Sequence, residues 1–287
     1  MKNSTSKHLL LGLIFLFSIF NGITSAQDPK TLKVMTYNVL LGFNGSDSYK
    51  QKFKTWIAKD LPDIIGFQEM SNYTEETFAA FAKSYGHEYS ILLATGNCCP
   101  IALSSKYPIS NVKKLTSDLK RGTLIAEILD YQVVVLHLNP FEWEKRLEEI
   151  HTIMQNIKPN TEDKVIVMGD FNSMSPVDKA MYDTKERLDA LVKSKSKNAN
   201  NGAYDYSVIG KMQNSGFVDS YWEANMKYGF TCPTRLHSAV GNKNNFRIDY
   251  IWLSDILKDR IKSCDVIYDS TTHLLSDHYP VLLTLER

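Results

Sequence analysis

Short apolar runs of strand length alternate along this chain with stretches whose apolar residues fall three and four apart. Runs at 32–37, 63–68, 89–93, 101–104, 123–129 and 132–138 are rich in Val and Ile and predict strands, as do later runs at 248–253, 265–268 and 281–285. In 74–85, Phe78, Phe81, Ala82 and Tyr85 share one helical face, Glu75 and Glu76 occupy the first turn, and Gly86 can close the helix. A second helix is predicted over 142–157, with Leu147, Ile150, Ile153, Met154 and Ile157 on one face. A third carries Phe53, Trp56, Ile57 and Leu61 and ends near Leu61-Pro62. The two runs flanking Asp130-Tyr131 read as a hairpin, so the sheet is at least partly antiparallel. The polar stretch 193–201, with Lys193, Lys195, Lys197 and several Asn, reads as a solvated loop. No repeat or linker interrupts the pattern, which gives one domain over 27–287.

Several of the strand-like runs stop at an acid, an amide or a histidine: Asn38, Glu69, His137, and Asp170 with Asn172. The mirror case is Ser276-Asp277-His278, immediately before the apolar run that starts at Pro280. If neighbouring strands present these residues on one sheet edge, their oxygens and imidazoles converge, as a hydrolytic metal site requires. Asp170 and Asn172 are two apart and face the same side, while Phe171 points into the fold. Asp170 can take a proton from water or bind a cation; Asn172 can hold a phosphoryl oxygen or offer its carbonyl to a metal. Glu69 follows a fully apolar run, where a carboxylate is costly unless paired or bound to a cation. Asp277 and His278 point to opposite faces, so the expected partner of Asp277 is His137 across the site. Asp249 sits among Ile248, Tyr250, Ile251 and Trp252; His278, the attacking water and backbone amides are its candidate partners.

Composition narrows the setting. A chain of 287 residues with 43% hydrophobic content is globular in character. Lys2 and Lys7, the apolar stretch 9–20 and Thr24-Ser25-Ala26 have the form of a secretory signal over 1–26. The expected product is secreted or periplasmic, with no stable membrane span, because the apolar stretch is shorter than the ~20 residues needed to cross a bilayer; the alternative is an uncleaved N-terminal anchor. Loss of the two lysines leaves acids and bases balanced to within one charge, which disfavours a protein that coats polyanions but not an enzyme that cuts them. Of the four cysteines, adjacent Cys98 and Cys99 look poorly placed to bond each other; a bridge from that pair to Cys232 is open, and no Cys-x-x-Cys spacing suggests zinc.

Taken in order, Thr36-Tyr37-Asn38, Gln68-Glu69, Leu136-His137-Leu138, Gly169-Asp170-Phe171-Asn172, Arg247-Ile248-Asp249-Tyr250-Ile251 and Ser276-Asp277-His278-Tyr279-Pro280-Val281 resemble the endonuclease/exonuclease/phosphatase superfamily, the deoxyribonuclease I-like group. The resemblance implies a four-layered α/β sandwich: two mixed β-sheets face to face, with helices on both outer faces. It implies Glu69 and Asn38 as ligands of Mg²⁺, with Mn²⁺ or Ca²⁺ as substitutes. Asp170 would activate water, Asn172 hold the phosphate or that water, Asp249 steady the site, His278 contact the scissile phosphate, Asp277 support a histidine, and His137 protonate the leaving oxygen. His137 and the export signal both argue against the apurinic-site repair branch. The implied activity is metal-dependent phosphoester hydrolysis, first of nucleic acid, by a monomer. Phosphomonoesters or phospholipid head groups are the alternative substrates, and an inactive binding protein the remote one. Arg121 and Arg146 are the candidate phosphate contacts on a basic rim with Lys120, Lys193, Lys195 and Lys197; Phe141 and Trp143 are the pair a phospholipid enzyme would expose.

Overall fold

The computed structural model describes residues 30–96, 98–157, 163–236 and 245–287; the expected secretory signal lies outside them. Among the described residues, fourteen strands form two six-stranded sheets and one short ribbon. The first sheet has the order β13 (Ile261–Val266), β14 (Val281–Glu286), β1 (Thr31–Asn38), β2 (Ile64–Gln68), β4 (Ile101–Ser105), β3 (Tyr89–Leu93). The second has β11 (Phe217–Asp219), β12 (Asp249–Ser254), β8 (Val165–Asp170), β7 (Tyr131–His137), β6 (Thr123–Ile128), β5 (Ile109–Leu115). The ribbon joins β9 (Ala199–Asn200), which lies in the stretch read as a loop, to β10 (Ala203–Tyr204) just after it.

Each large sheet is mixed in the same way. One parallel pair, β1/β2 in the first and β7/β8 in the second, sits among antiparallel neighbours. Side chains alternate between the two faces of each strand. Leu32, Val34 and Ile64 from the first sheet meet Val133, Val135, Ile166, Met168, Ile251 and Leu253 from the second in one buried core. The approach is close: a Cβ on Gly66 would lie 2.9 Å from Met168 Cε and 3.0 Å from Val135 Cγ2. The opposite parity faces outward. Met35, Tyr37, Ile65 and Phe67 pack with Phe53, Phe78 and Phe81 of the helices Asp47–Ile57 and Glu75–Tyr85. Val134, Val165 and Val167 pack with Ile150 and Ile153 of Trp143–Ile157 and with Val208 and Met212 of Ser207–Asn214. The molecule is therefore the expected α/β sandwich, helix on sheet on sheet on helix.

The helix ends obey local rules. Thr74 caps Glu75–Tyr85 by accepting from Thr77 N at 3.2 Å, and Gly86 ends it in the left-handed region, as its sequence predicts. Strands β5, β9, β10 and β11 were not among those the sequence predicted. β5 is an edge strand whose residues 110–114 are all exposed, so it carries no apolar alternation.

Candidate active site

The parity that builds the inner core also builds the site. Asn38, His137, Asp170 and Asp249 each continue the inward-facing series of their strands (34, 36, 38; 133, 135, 137; 166, 168, 170; 249, 251, 253). Parallel pairing places their ends side by side, with Asn38 opposite Gln68 and His137 opposite Asp170, while antiparallel pairing sets Asp249 opposite Asp170. Polar groups thus fill the gap between the sheets at the edge where the hydrophobic filling ends. Phe171 turns the other way and is fully buried against Tyr250 and Trp252.

Asp170 is the hub. Its Oδ2 accepts from Asn38 Nδ2 at 3.0 Å and lies 3.4 Å from His137 Nε2 and 3.9 Å from His278 Nε2; its Oδ1 accepts from Asn172 N at 2.8 Å. Gly169 makes this placement available. Its φ is +151°, and a Cβ there would stand 2.0 Å from the Leu136 carbonyl oxygen. Burial and the neighbouring Asp249 push the Asp170 carboxyl up to about 7. His278 shares a proton with Asp249, Nδ1 to Oδ2 at 2.8 Å. Burial alone would lower the His278 pKa, but Asp249 and Cys232 outweigh it, and the imidazole is raised well above its ordinary value. His137 goes the other way: burial, then Arg121 and His278, hold it well below. At neutral pH His278 is the charged imidazole and His137 the neutral one.

Glu69 adopts φ +64° and turns its carboxylate toward Asn38, with Oε1 3.4 Å from Asn38 Nδ2. Three hydroxyls fix the frame. Ser276 Oγ donates to Asn38 O at 2.7 Å, Thr36 Oγ1 donates to Gln68 Oε1 at 3.2 Å, and Thr231 Oγ1 accepts from the amides of Ile248 and Asp249, each at 3.1 Å. Thr36 and Ser276 entered the sequence reading only as members of motifs and Thr231 not at all, because their role lies in partners distant along the chain. Asn172 is half-buried and anchors through Nδ2 to Leu138 O at 3.1 Å. Beside it opens a cavity of about 450 Å³ lined by Pro140, Met174, Leu191, Tyr204 and Phe246 among others.

Three expectations change. The acid beside His137 is Asp170, whereas Asp277 is half-buried, with Oδ1 3.3 Å from Ser276 Oγ, whose one proton goes to Asn38 O at the shorter 2.7 Å. Arg146 is only 1% exposed; its Nε donates to Ser173 Oγ at 2.8 Å and its Nη1 to Asn139 O at 3.1 Å, so it braces the loops under the site. Arg121 is held differently. It is buried, bonds Leu138 O at 3.2 Å and lies in the field of Asp170 and Glu69, and its Nε has no partner among the described residues. The third change concerns sulfur. Cys98 and Cys99 are joined to each other, and Cys232 and Cys264 are free thiols, with Cys232 against His278.

A divalent cation fits these residues. Carboxylate oxygens of Asp170 and Asp249 lie within 4.8 Å of one another, both buried, beside His278, which while protonated has no lone pair to offer a cation. Asp249 Oδ1 is buried with no hydrogen-bond partner among the described residues. Burying acids this close raises Asp170, and a cation relieves that repulsion. With Glu69 and Asn38 adjacent, the donors are mostly oxygen, which suits Mg²⁺, Mn²⁺ or Ca²⁺.

The fold is a mixed two-sheet α/β sandwich with acids and histidines gathered at one edge, and the sequence comparisons narrow it further. The profile of the Endonuclease/Exonuclease/phosphatase family matches residues 35–278, and the chain belongs to that family. No curated protein matches the sequence. Among solved structures, an AP endonuclease from Archaeoglobus fulgidus superposes with a TM-score of 0.71 at 17% identity. A 3' phosphatase (NExo) from Neisseria bound to product DNA hairpin gives 0.68 at 19%. An endonuclease/exonuclease/phosphatase family protein from Leptotrichia buccalis gives 0.61 at 19%. Each covers 89% of this chain and 100% of its own. These likenesses show the fold.

Proposed function

We propose that this protein is a divalent-metal-dependent phosphoester hydrolase, exported by its N-terminal leader, that cleaves P–O bonds of nucleic acid by in-line attack of water. The observation that carries the reading is the convergence of Asn38, Glu69, His137, Asp170, Asp249 and His278 at one edge of the sandwich, with a buried Asp249 oxygen left unpartnered.

Glu69 and Asn38 would hold the cation, Mg²⁺ first among the candidates. When bound, it neutralises charge growing on the phosphoryl oxygens and on the leaving alkoxide. Asp170 takes the proton of the attacking water; a carboxylate raised to about 7 is matched to that task near neutral pH. Asn172 orients the phosphate or the water. His278, kept protonated by Asp249, donates to a phosphoryl or leaving oxygen, and neutral His137 orients Asp170. This assignment moves the proton donor from His137 to His278. Arg121 contacts the phosphate, and the cavity beside Asn172 takes the groups flanking it.

A phospholipid head group is the less favoured substrate. Phe141 is 61% exposed, but Trp143 is half-buried, so the loop offers one aromatic tip where a lipid-facing loop needs several. Among the described residues no helix is long and apolar enough to cross a membrane. The test is a substrate panel with the purified protein in Mg²⁺: supercoiled plasmid, a duplex bearing a 3'-terminal phosphate, and phospholipid vesicles. Cutting of plasmid or release of the 3'-phosphate supports nucleic acid; hydrolysis of the vesicles alone overturns it. Amino-terminal sequencing of protein from the culture medium or periplasm checks export, with a start at Gln27 expected.

A further inference from the structure

Six consecutive residues after Val39, Leu40 to Gly45, all have φ between +47° and +69°. Side chains disfavour this left-handed conformation, which L-residues visit singly and not in runs. The turn is held from below by Phe43, fully buried with its ring 5.1 Å from Phe53 and 5.7 Å from Phe81. At its far end Ser46 N donates to Phe43 O at 2.9 Å, and Ser46 Oγ caps the next helix at Tyr49 N.

Two of its amides meet Glu69 and one meets Asn38. Leu40 N donates to Asn38 Oδ1 at 3.2 Å, Leu41 N to Glu69 Oε2 at 3.1 Å, and Gly42 N to Glu69 O at 2.6 Å. Leu41 leaves its side chain 44% exposed, so the group it contributes here is its N–H. Gly42 is required for the approach: a Cβ would stand 2.2 Å from Ser71 O, and Ser71 N itself donates to Glu69 O at 2.8 Å.

We propose that the Leu41 N–H, held in place by the turn Leu40–Leu41–Gly42 whose Gly42 N–H anchors the Glu69 main chain, ties down one carboxylate oxygen of Glu69, leaving Oε1 to act as a one-oxygen ligand and biasing the site toward Mg²⁺ over Ca²⁺. This rests on the reading of Glu69 and Asn38 as cation ligands. Mg²⁺ demands compact octahedral geometry and keeps several waters, whereas Ca²⁺ takes more oxygens and often both oxygens of one carboxylate. A carboxylate with Oε2 held by an amide serves the first ion better than the second. Gly42 is a positioning residue: it acts through Glu69 and touches no reacting atom.

The experiment is calorimetric titration of Mg²⁺ and, separately, Ca²⁺ into chelator-treated protein, with circular dichroism confirming the fold of each variant. Gly42→Ala is expected to weaken Mg²⁺ binding about 10–100-fold, the range for disturbing groups that orient a ligand, with a smaller loss for Ca²⁺. Replacing the Leu41 amide by an ester removes the N–H and nothing else, and should shift the Mg²⁺/Ca²⁺ ratio the same way. Leu41→Gly keeps the N–H and suits the positive φ, so it should retain the wild-type ratio. A folded Gly42→Ala protein that binds both ions as the wild type does overturns the clamp. Should that variant fail to fold, an unchanged ratio in the ester variant overturns it as well. Wild-type protein that binds neither ion refutes the ligand assignment itself, a result distinct from either.

Discussion

Arg247 and Asp249 stand two residues apart in one motif, both buried and both charged, yet they belong to opposite kinds of cluster. Arg247 is closed off: Nε donates to Asp178 Oδ2 at 2.7 Å, Nη1 to Asp219 Oδ2 at 2.6 Å, and its guanidinium lies 4.8 Å from the Tyr250 ring. Burial alone would lower its pKa, but Asp219, Tyr250 and Asp178 raise it, so the cation is firmly held. Asp219 in turn caps the helix Ser220–Asn225 through Trp222 N. The Asp249 cluster is open. It has two buried acids, one charged imidazole and one neutral one, and both Asp249 Oδ1 and His137 Nδ1 lack a partner among the described residues. Asp178 Oδ1 beside Arg247 also lacks a hydrogen-bond partner among the described residues, so what separates the clusters is charge: in the first two acids close on one guanidinium, while in the second Asp170 and Asp249 repel each other.

The sharpest way to separate the two is to neutralise each hub. Asp170→Asn should lower kcat about 10²–10⁴-fold, the usual weight of a general base, while Tm at pH 8 stays level or rises because the repulsion with Asp249 is gone. Arg247→Ala should do the reverse. It leaves two buried acids without their cation and costs about 3–5 kcal/mol of stability in urea unfolding, with kcat per folded molecule near wild type. If Arg247→Ala abolished hydrolysis in a protein of unchanged stability, the division between scaffold and site would fail.

Two buried histidines give a pH signature of opposite sign. His87 bonds Ser104 Oγ at 2.8 Å and Pro62 O at 2.9 Å, and burial lowers its pKa to about 4. The fold prefers it neutral, so its contribution is present above 6.5 and lost as pH falls toward 4, by up to about 3 kcal/mol. His278 is raised, so its contribution is present below 6.5 and lost as pH climbs through its raised value. Urea midpoints of the chelator-treated protein at several pH values, compared with those of His87→Gln, check the first: the variant should show the shallower acid limb. The smallest effect concerns the rim. Arg121→Ala should raise KM about tenfold, from losing a charge-assisted hydrogen bond worth roughly 1.5 kcal/mol, whereas Arg146→Ala should act on stability, since its donors serve Ser173 and Asn139.

Most of the site was legible because its residues end strands. An apolar run that stops at Asn38, His137 or Asp170 fixes both the sheet edge and, by alternation, the inward face. Asp277 was misread because alternation excluded His278 as its partner but could not choose the true one. Arg146 follows helical spacing that places it on a face later covered by loops, which no local pattern reveals. β5 was missed because an edge strand with an exposed middle has no apolar period. The turn at Leu40-Leu41-Gly42-Phe43 reads as an apolar stretch; its left-handed form depends on Glu69 and Ser71, some thirty residues on. The Cys98–Cys99 link went against the expectation from adjacent residues.

The central claim is that the open cluster is completed by a divalent cation and then hydrolyses phosphoesters. The direct measurement is hydrolysis of plasmid and of a 3'-phosphorylated duplex by wild-type and Asp170→Asn protein, each in Mg²⁺ and in excess chelator. Hydrolysis by wild type in Mg²⁺, lost in chelator and restored by added Mg²⁺, with Asp170→Asn inactive throughout, is the expected result. Equal hydrolysis in chelator, or an Asp170→Asn protein as active as wild type, would contradict it.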